Sequence, residues 1–310
     1  MEKKKIVVAL GRKALGKTLP EQQKAVAQTA IALADLIEDG HQLIITHSNG
    51  PQVGMIDAAI RDFSKRNAEY TVAPLAICDA MSQGYIGYDL QNSLRGELLK
   101  RGIVRPVCTI ITQVQVDPYD DAFFEPTKVI GRLLTKEQAD MEVEKGNVVV
   151  AVEGGFKKIV AAPKPLDIVE IDSIKTLANA GHVVIACGGG GIPVMEQNHL
   201  LKGASAVIEK DIAAAKLAHM VNADLFMILT NVDKVCMNYD TKDEEPLDTL
   251  SCSQAVKLSA ENQFSEGTML PKIQACVDFV SSKEERKAII TSLSKAKDAL
   301  HGRTGTIITK

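Results

Sequence analysis

Nine short apolar runs rich in β-branched residues, at 6–10, 43–46, 107–112, 148–152, 182–187, 225–229, 234–237, 288–291 and 306–309, alternate along the chain with longer helical patterns. That rhythm predicts an α/β fold with an open, mainly parallel sheet sandwiched by helices, because parallel neighbours need a crossover that a helix supplies. Between the first two runs, Val26, Ala30, Leu33 and Ile37 share one face at helical spacing over 21–39. Gly40 is placed to end that helix, and Thr18 with Glu21 fits a capping box at its start. The stretch from about 115 to 165 differs: DPYDDAFFEPTKVIGRLL is acidic and broken by prolines, and a short strand pair follows around 148–161. It reads as a small subdomain inserted beside the main sheet, the kind of excursion that often carries function.

The 310 residues suffice for one large α/β domain or two smaller ones, and a net charge of −3 points away from nucleic acid and anionic membranes toward a small-molecule partner. MEKKKIVVAL has basic residues before an apolar run, but the run breaks at Gly11 without a small-residue cleavage site, so it reads as the first strand. No apolar run approaches the length of a membrane span. Six cysteines are scattered without a C-x-x-C pair, which favours a reducing, cytoplasmic setting. The six histidines include neither H-x-H nor H-E-x-x-H, so no protein-held metal is expected.

Chemistry concentrates where strands end. In VVALGRKALG the first strand runs through Gly11 into Arg12 and Lys13, a turn that brings backbone N–H groups and two cations to one point. It has neither the P-loop spacing nor the dinucleotide-binding one, and a tight turn with two solvated cations explains it as well as a phosphate site. THSNGPQVG follows the second run and CGGGGIPV follows the run at 182–187, so three glycine turns can converge at the carboxyl edge of a parallel sheet. AVIEKDIAAAKLA places Lys210 and Asp211 at a helix start, where Asp is ordinary capping chemistry and Lys is usually solvated. In GTMLPKIQACVDFV, Met269, Ile273, Cys276 and Val280 form a core stripe, and Lys272 lies in the first turn. A cation is disfavoured at that end of a helix, so its presence points to a bound anion. Phosphoryl transfer would use such pieces together, since its transition state is stabilised mainly by positioned positive charge. Clustered lysines repel, and Asp211 could relieve them.

Seven segments in order, NGPQVG (49–54), SQGYIGYDLQN (82–92), EPTKVIG (125–131), GGGGIPV (188–194), AVIEKD (206–211), LTNVDKV (229–235) and GTMLPK (267–272), give the chain a close, nearly end-to-end resemblance to carbamate kinase, a member of the amino-acid kinase superfamily. The resemblance implies one domain over 1–310, with the protruding subdomain at about 115–165, and a homodimer. It implies reversible phosphoryl transfer between MgATP and carbamate, giving MgADP and carbamoyl phosphate, with Mg²⁺ entering on the nucleotide. In fermentative arginine or agmatine breakdown the reaction would run toward ATP. Lys128 would reach the transferred group from the subdomain, Lys272 would neutralise it from the nucleotide side, and Asp211 beside Lys210 would orient the lysines. Gly11, Arg12, Lys13, Ser48, Asn49 and Gly50 would line the phosphate and carbamate cradle, and Asp233, Tyr239 and Met269 would border the nucleotide.

Three departures from the family pattern stand out. Gly11-Arg12-Lys13 replaces a Gly-Gly-Asn-like turn, Ser48-Asn49-Gly50 replaces Gly-Asn-Gly, and VAVEGGFKKIV occupies the place of an acidic, glycine-containing segment. The altered turns also fit a second class, a catalytically weak relative that binds nucleotide or carbamoyl phosphate as a sensor or partner subunit. A kinase of another acid is a third possibility, and the PTKVIG segment argues against it.

Overall fold

The computed structural model describes residues 3–16 and 18–310. Its central sheet has eight strands: β1 (Lys5–Leu10), β2 (Gln42–His47), β3 (Val107–Thr109), β4 (Val183–Ile185), β5 (Leu225–Thr230), β6 (Thr249–Ser251), β7 (Lys287–Ser292) and β8 (Thr306–Thr309). They lie in the order β6-β8-β7-β5-β1-β2-β4-β3. Pairing is parallel from β7 through β3, and β8 runs antiparallel to β7.

β1 shows why this sheet needs two helical layers. Val7 and Ala9 join one buried cluster, with Ile44, Phe226 and Ile228, while Ile6, Val8 and Leu10 join another, with Leu43, Ile45 and Met227. A strand buried on both faces is the mark of a parallel sheet covered on each side. The second cluster is roofed by helices α1 (Leu19–Glu38) and α3 (Leu75–Lys100), through Val26, Ala30, Leu33 and Ile37 and through Ile86, Leu90, Leu94 and Leu98. The first is covered by α4 (Lys210–Met220) and α5 (Leu270–Ser281), where Phe226 meets Phe279 edge-on at 5.8 Å. The capping box forms at α1, with Thr18 and Glu21 exchanging bonds of 3.4 and 3.5 Å, and Gly40 follows its C-cap at φ +92°.

The expected strands at 107–112 and 182–187 are shorter than their apolar runs. Their last residues leave the ladder for side-chain bonds: Thr112 N–H donates to Gln83 Oε1, and Cys187 N–H donates to Thr112 Oγ1. The run at 234–237 joins no part of the central sheet; Val235–Met237 pairs instead with Glu245–Leu247 as a small hairpin. The run at 148–152 likewise belongs elsewhere. Val148–Val152 forms an antiparallel sheet with Gly155–Val160 and Lys128–Leu134, packed with the helix Lys136–Glu144. The flanks of the 115–165 stretch do not belong to that small sheet, because Gln113–Val116 and Pro165–Ile168 pair in a four-stranded sheet with Ile192–Gln197 and Leu200–Gly203.

Candidate active site

The carboxyl ends of β1, β2, β4 and β5 open onto one cavity of about 1370 Å³, lined by Gly11, Ser48, Asn49, Gly189 and Thr230 among others. This is the edge at which open α/β sheets hold ligands, beside the central strand β1 from which the chain winds to either side. Gly11 is required sterically there: its N–H donates to the Leu229 carbonyl at 2.9 Å, and a Cβ would lie 2.8 Å from that same oxygen. Arg12 and Lys13 follow in a single 3₁₀ turn, Arg12–Ala14. Both are exposed, both line the cavity, and neither is ion-paired with a described residue.

The second and third turns are braced by α3. Asn49 precedes α2 (Gly50–Arg66), but its amide does not cap that helix; it donates to Asp79 and Ser82 of α3. Gln83 donates to the carbonyls of Thr112 and Gly188, pinning the glycine turn. That turn starts with Cys187 in the left-handed region at φ 51° and continues through Gly189 at φ +71°. Side chains are excluded by contact as well, since a Cβ on Gly188 would sit 2.4 Å from the His47 ring. Burial pushes the His47 imidazole down to about 4, so it adds no charge near neutrality. Ser48 lines the cavity, and its buried hydroxyl has no partner among the described residues.

A second group of cations lines the same cavity. Lys210 and Lys272 occupy the first turns of α4 and α5, the positive ends of two helices, and both reach the carboxylate of Asp211. The Lys272 contact is 2.8 Å, and Asp211 is 1 % exposed. Burial alone would raise the Asp211 pKa, but the two ammonium groups outweigh it and hold the carboxyl below its ordinary value. Two cations sharing one anion leave a net positive charge facing the cavity, in a place where two helix dipoles add to it. Lys128 enters from the small sheet and pairs with Glu209, the N-cap residue of α4, so the subdomain is bridged directly to the lysine cluster.

The proposed nucleotide residues divide. Asp233 and Tyr239 are exposed and line an adjoining cavity of about 620 Å³, which shares Asn231 with the larger one. Met269 lines neither; its side chain packs against the first core cluster, while its neighbours Gly267 and Thr268 border the large cavity. Glu209, Asp79, Ser82 and Gln83 are site residues not anticipated from the sequence. The pieces brought together at one cavity are three glycine-containing turns, three lysines and two buried carboxylates, Asp211 and Asp79.

Residues 4–292 match the amino acid kinase family. The carbamate kinase-like protein YqeA of Escherichia coli K12 is 51 % identical over 306 residues, covering 98 % of this chain and 99 % of its own. A carbamate kinase of Clostridium perfringens is 49 % identical over 313 residues, covering 99 % and 100 %. Among solved structures, the carbamate kinase of Giardia lamblia bound to AMP-PNP superposes with a TM-score of 0.93 at 36 % identity, over 99 % of each chain. The chain therefore belongs to the amino acid kinase family, in its carbamate kinase group.

Proposed function

We propose that this protein is a carbamate kinase, moving a phosphoryl group reversibly between MgATP and carbamate to give MgADP and carbamoyl phosphate. The observation that carries the reading is the Lys210–Asp211–Lys272 cluster at two helix N-termini, lining one cavity with the glycine turns and joined by Lys128 through Glu209. A phosphoryl group in flight carries charge on its equatorial oxygens, and three lysines around one cavity are placed to stabilise it. Lys272 does so from the nucleotide side and Lys128 from the subdomain, while Asp211 fixes the directions of Lys210 and Lys272. Gly11, Asn49 and Gly50 cradle the acceptor and the phosphate, and Asp233 and Tyr239 border the nucleotide. The AMP-PNP complex of the Giardia lamblia relative supports a nucleotide in this fold.

Mg²⁺ fits as a companion of the nucleotide phosphates rather than as an ion in a protein cage, because Asp211 and Glu209 are already committed to lysines. Entering with the nucleotide, it would neutralise part of the phosphate charge. The same reading places the protein in the cytoplasm as a homodimer, working toward ATP in arginine or agmatine breakdown. Supplying carbamoyl phosphate and MgADP to the purified protein and measuring ATP tests it. ATP is expected from carbamoyl phosphate and hardly any from acetyl phosphate; no ATP from either, with MgADP still raising the melting temperature, would favour a non-catalytic binder.

A second expectation concerns the exposed cations of the first turn. Arg12 has no Cβ-free backbone to offer a phosphoryl group, and Lys13 adds positive charge beside it. Charge that acts equally on bound carbamoyl phosphate and on the transition state tightens binding without raising kcat. The double change Arg12→Gly with Lys13→Asn is therefore expected to raise both kcat and the KM for carbamoyl phosphate. Steady-state kinetics at one ionic strength checks this, and a lower kcat would show Lys13 to be a working catalytic cation.

A further inference from the structure

One corner of the large cavity presents acceptors instead of cations. Ser82 donates its hydroxyl proton to the Asp79 backbone carbonyl at 2.7 Å, so toward Asn49 its oxygen can only accept. It takes one proton of the Asn49 amide at 2.9 Å, and Asp79 Oδ1 takes the other at 3.1 Å. With both amide protons committed, the network itself fixes which way the amide points. Asn49 Oδ1 and the second oxygen of Asp79 are left without partners among the described residues, and neither is sealed away from the cavity that both residues line. Gly189 closes the other side, since a Cβ there would fall 2.1 Å from the Asn49 amide nitrogen. The two side chains are only 8 % and 6 % exposed, so these free oxygens are fixed in a largely desolvated wall.

We propose that Asp79, together with the Asn49 it positions, is the specificity corner of this pocket, accepting the two N–H bonds of the carbamoyl amino group. The inference rests on the carbamate kinase reading above. Carbamoyl and acetyl groups differ by NH₂ against CH₃, which are close in size, so shape cannot separate them. Paired buried acceptors can, because a methyl group would leave both unsatisfied. Burial pushes the Asp79 carboxyl up to about 7, against the pull of the Asn49 amide, so the anion needed as an acceptor exists above neutrality and is held at a cost in stability.

The test uses two unreactive phosphonates, phosphonoacetamide and acetonylphosphonate, which carry the amide and the methyl ketone respectively. Each is titrated calorimetrically into the full chain with MgADP at about pH 8. The wild type is expected to prefer the amide by about tenfold or more; Asp79→Asn and Asp79→Ala lose that preference, because the amide binds more weakly while the ketone, freed of one unsatisfied acceptor, binds no more weakly than before, and Ser82→Ala keeps part of it. A melting temperature for Asp79→Asn at or above that of the wild type shows the variant folded, since the change removes a buried charge. Should one Asp79 variant fail to fold, the other and Ser82→Ala give the same comparison. Equal binding of both phosphonates by the wild type, binding of neither, or equal weakening of both by Asp79→Asn overturns the proposal. Binding needs no turnover, so a wild type that makes no ATP yet prefers the amide would sink the kinase reading alone.

Discussion

Lys272→Ala is expected to lower kcat by on the order of 10²-fold or more, with a much smaller change in the KM for MgADP. The ammonium group sits at the positive end of α5, where a lysine gains nothing from its own helix, and its 2.8 Å contact with Asp211 fixes it facing the cavity. Its charge is worth most when negative charge builds on the moving phosphoryl group, which is why the loss falls on kcat. The fold tolerates the change: a buried Asp211 keeps Lys210 as its partner. Lys128→Ala is expected to behave similarly for a different reason. Lys128 is half-buried on a separate sheet and, among the described residues, pairs with Glu209, so its removal is expected to leave the core intact while withdrawing one cation from the cavity. Steady-state kinetics in the ATP-forming direction, with circular dichroism to check folding, measures both. Near-normal turnover by Lys128→Ala would remove the subdomain from the chemistry.

How much of this could be read from the sequence depended on the distance over which each signal acts. β1 and β5 were legible because apolar residues fill every position from 6 to 10 and from 225 to 229, and the core stripe of α1 was legible because its period is 3.6. The helix α3 was missed, although Ile86, Leu90, Leu94 and Leu98 repeat at helical spacing; its first turns carry Asp79, Ser82 and Gln83 on that same buried face, and polar residues there break the apolar stripe. The hairpin at 192–203 was missed because the four glycines before it read as a turn and its second strand is exposed. Within the site, Lys272 announced itself through the dipole argument, a purely local clue. Glu209 and Asp79 gave no such clue, because their partners Lys128 and Asn49 lie 81 and 30 residues away. Met269, expected beside the nucleotide, has its side chain drawn toward the core by the same stripe that includes Ile273 and Cys276, while Gly267 and Thr268 line the cavity.

The largest effect on stability is expected at Asp211. Asp211→Ala removes the one anion between two lysines whose side chains are 11 % and 15 % exposed, leaving neither with a carboxylate partner among the described residues. Breaking a buried ion pair by deleting one member costs about 3–5 kcal/mol, and the mutual repulsion of the ammonium groups adds to it. With the carboxylate gone, nothing holds the two ammonium groups in the directions that face the cavity. Asp211→Ala is therefore expected both to melt well below the wild type and to lose at least about 10²-fold in kcat. A charge-balance experiment separates electrostatics from packing: Lys210→Met combined with Asp211→Ala leaves one unpaired ammonium instead of two. The double variant should recover part of the lost melting temperature even though it carries one more substitution. It should recover none of the activity. If it melts lower than Asp211→Ala, the carboxylate holds the two helix ends together by its shape and hydrogen bonds, and charge balance is not what this cluster is built to provide.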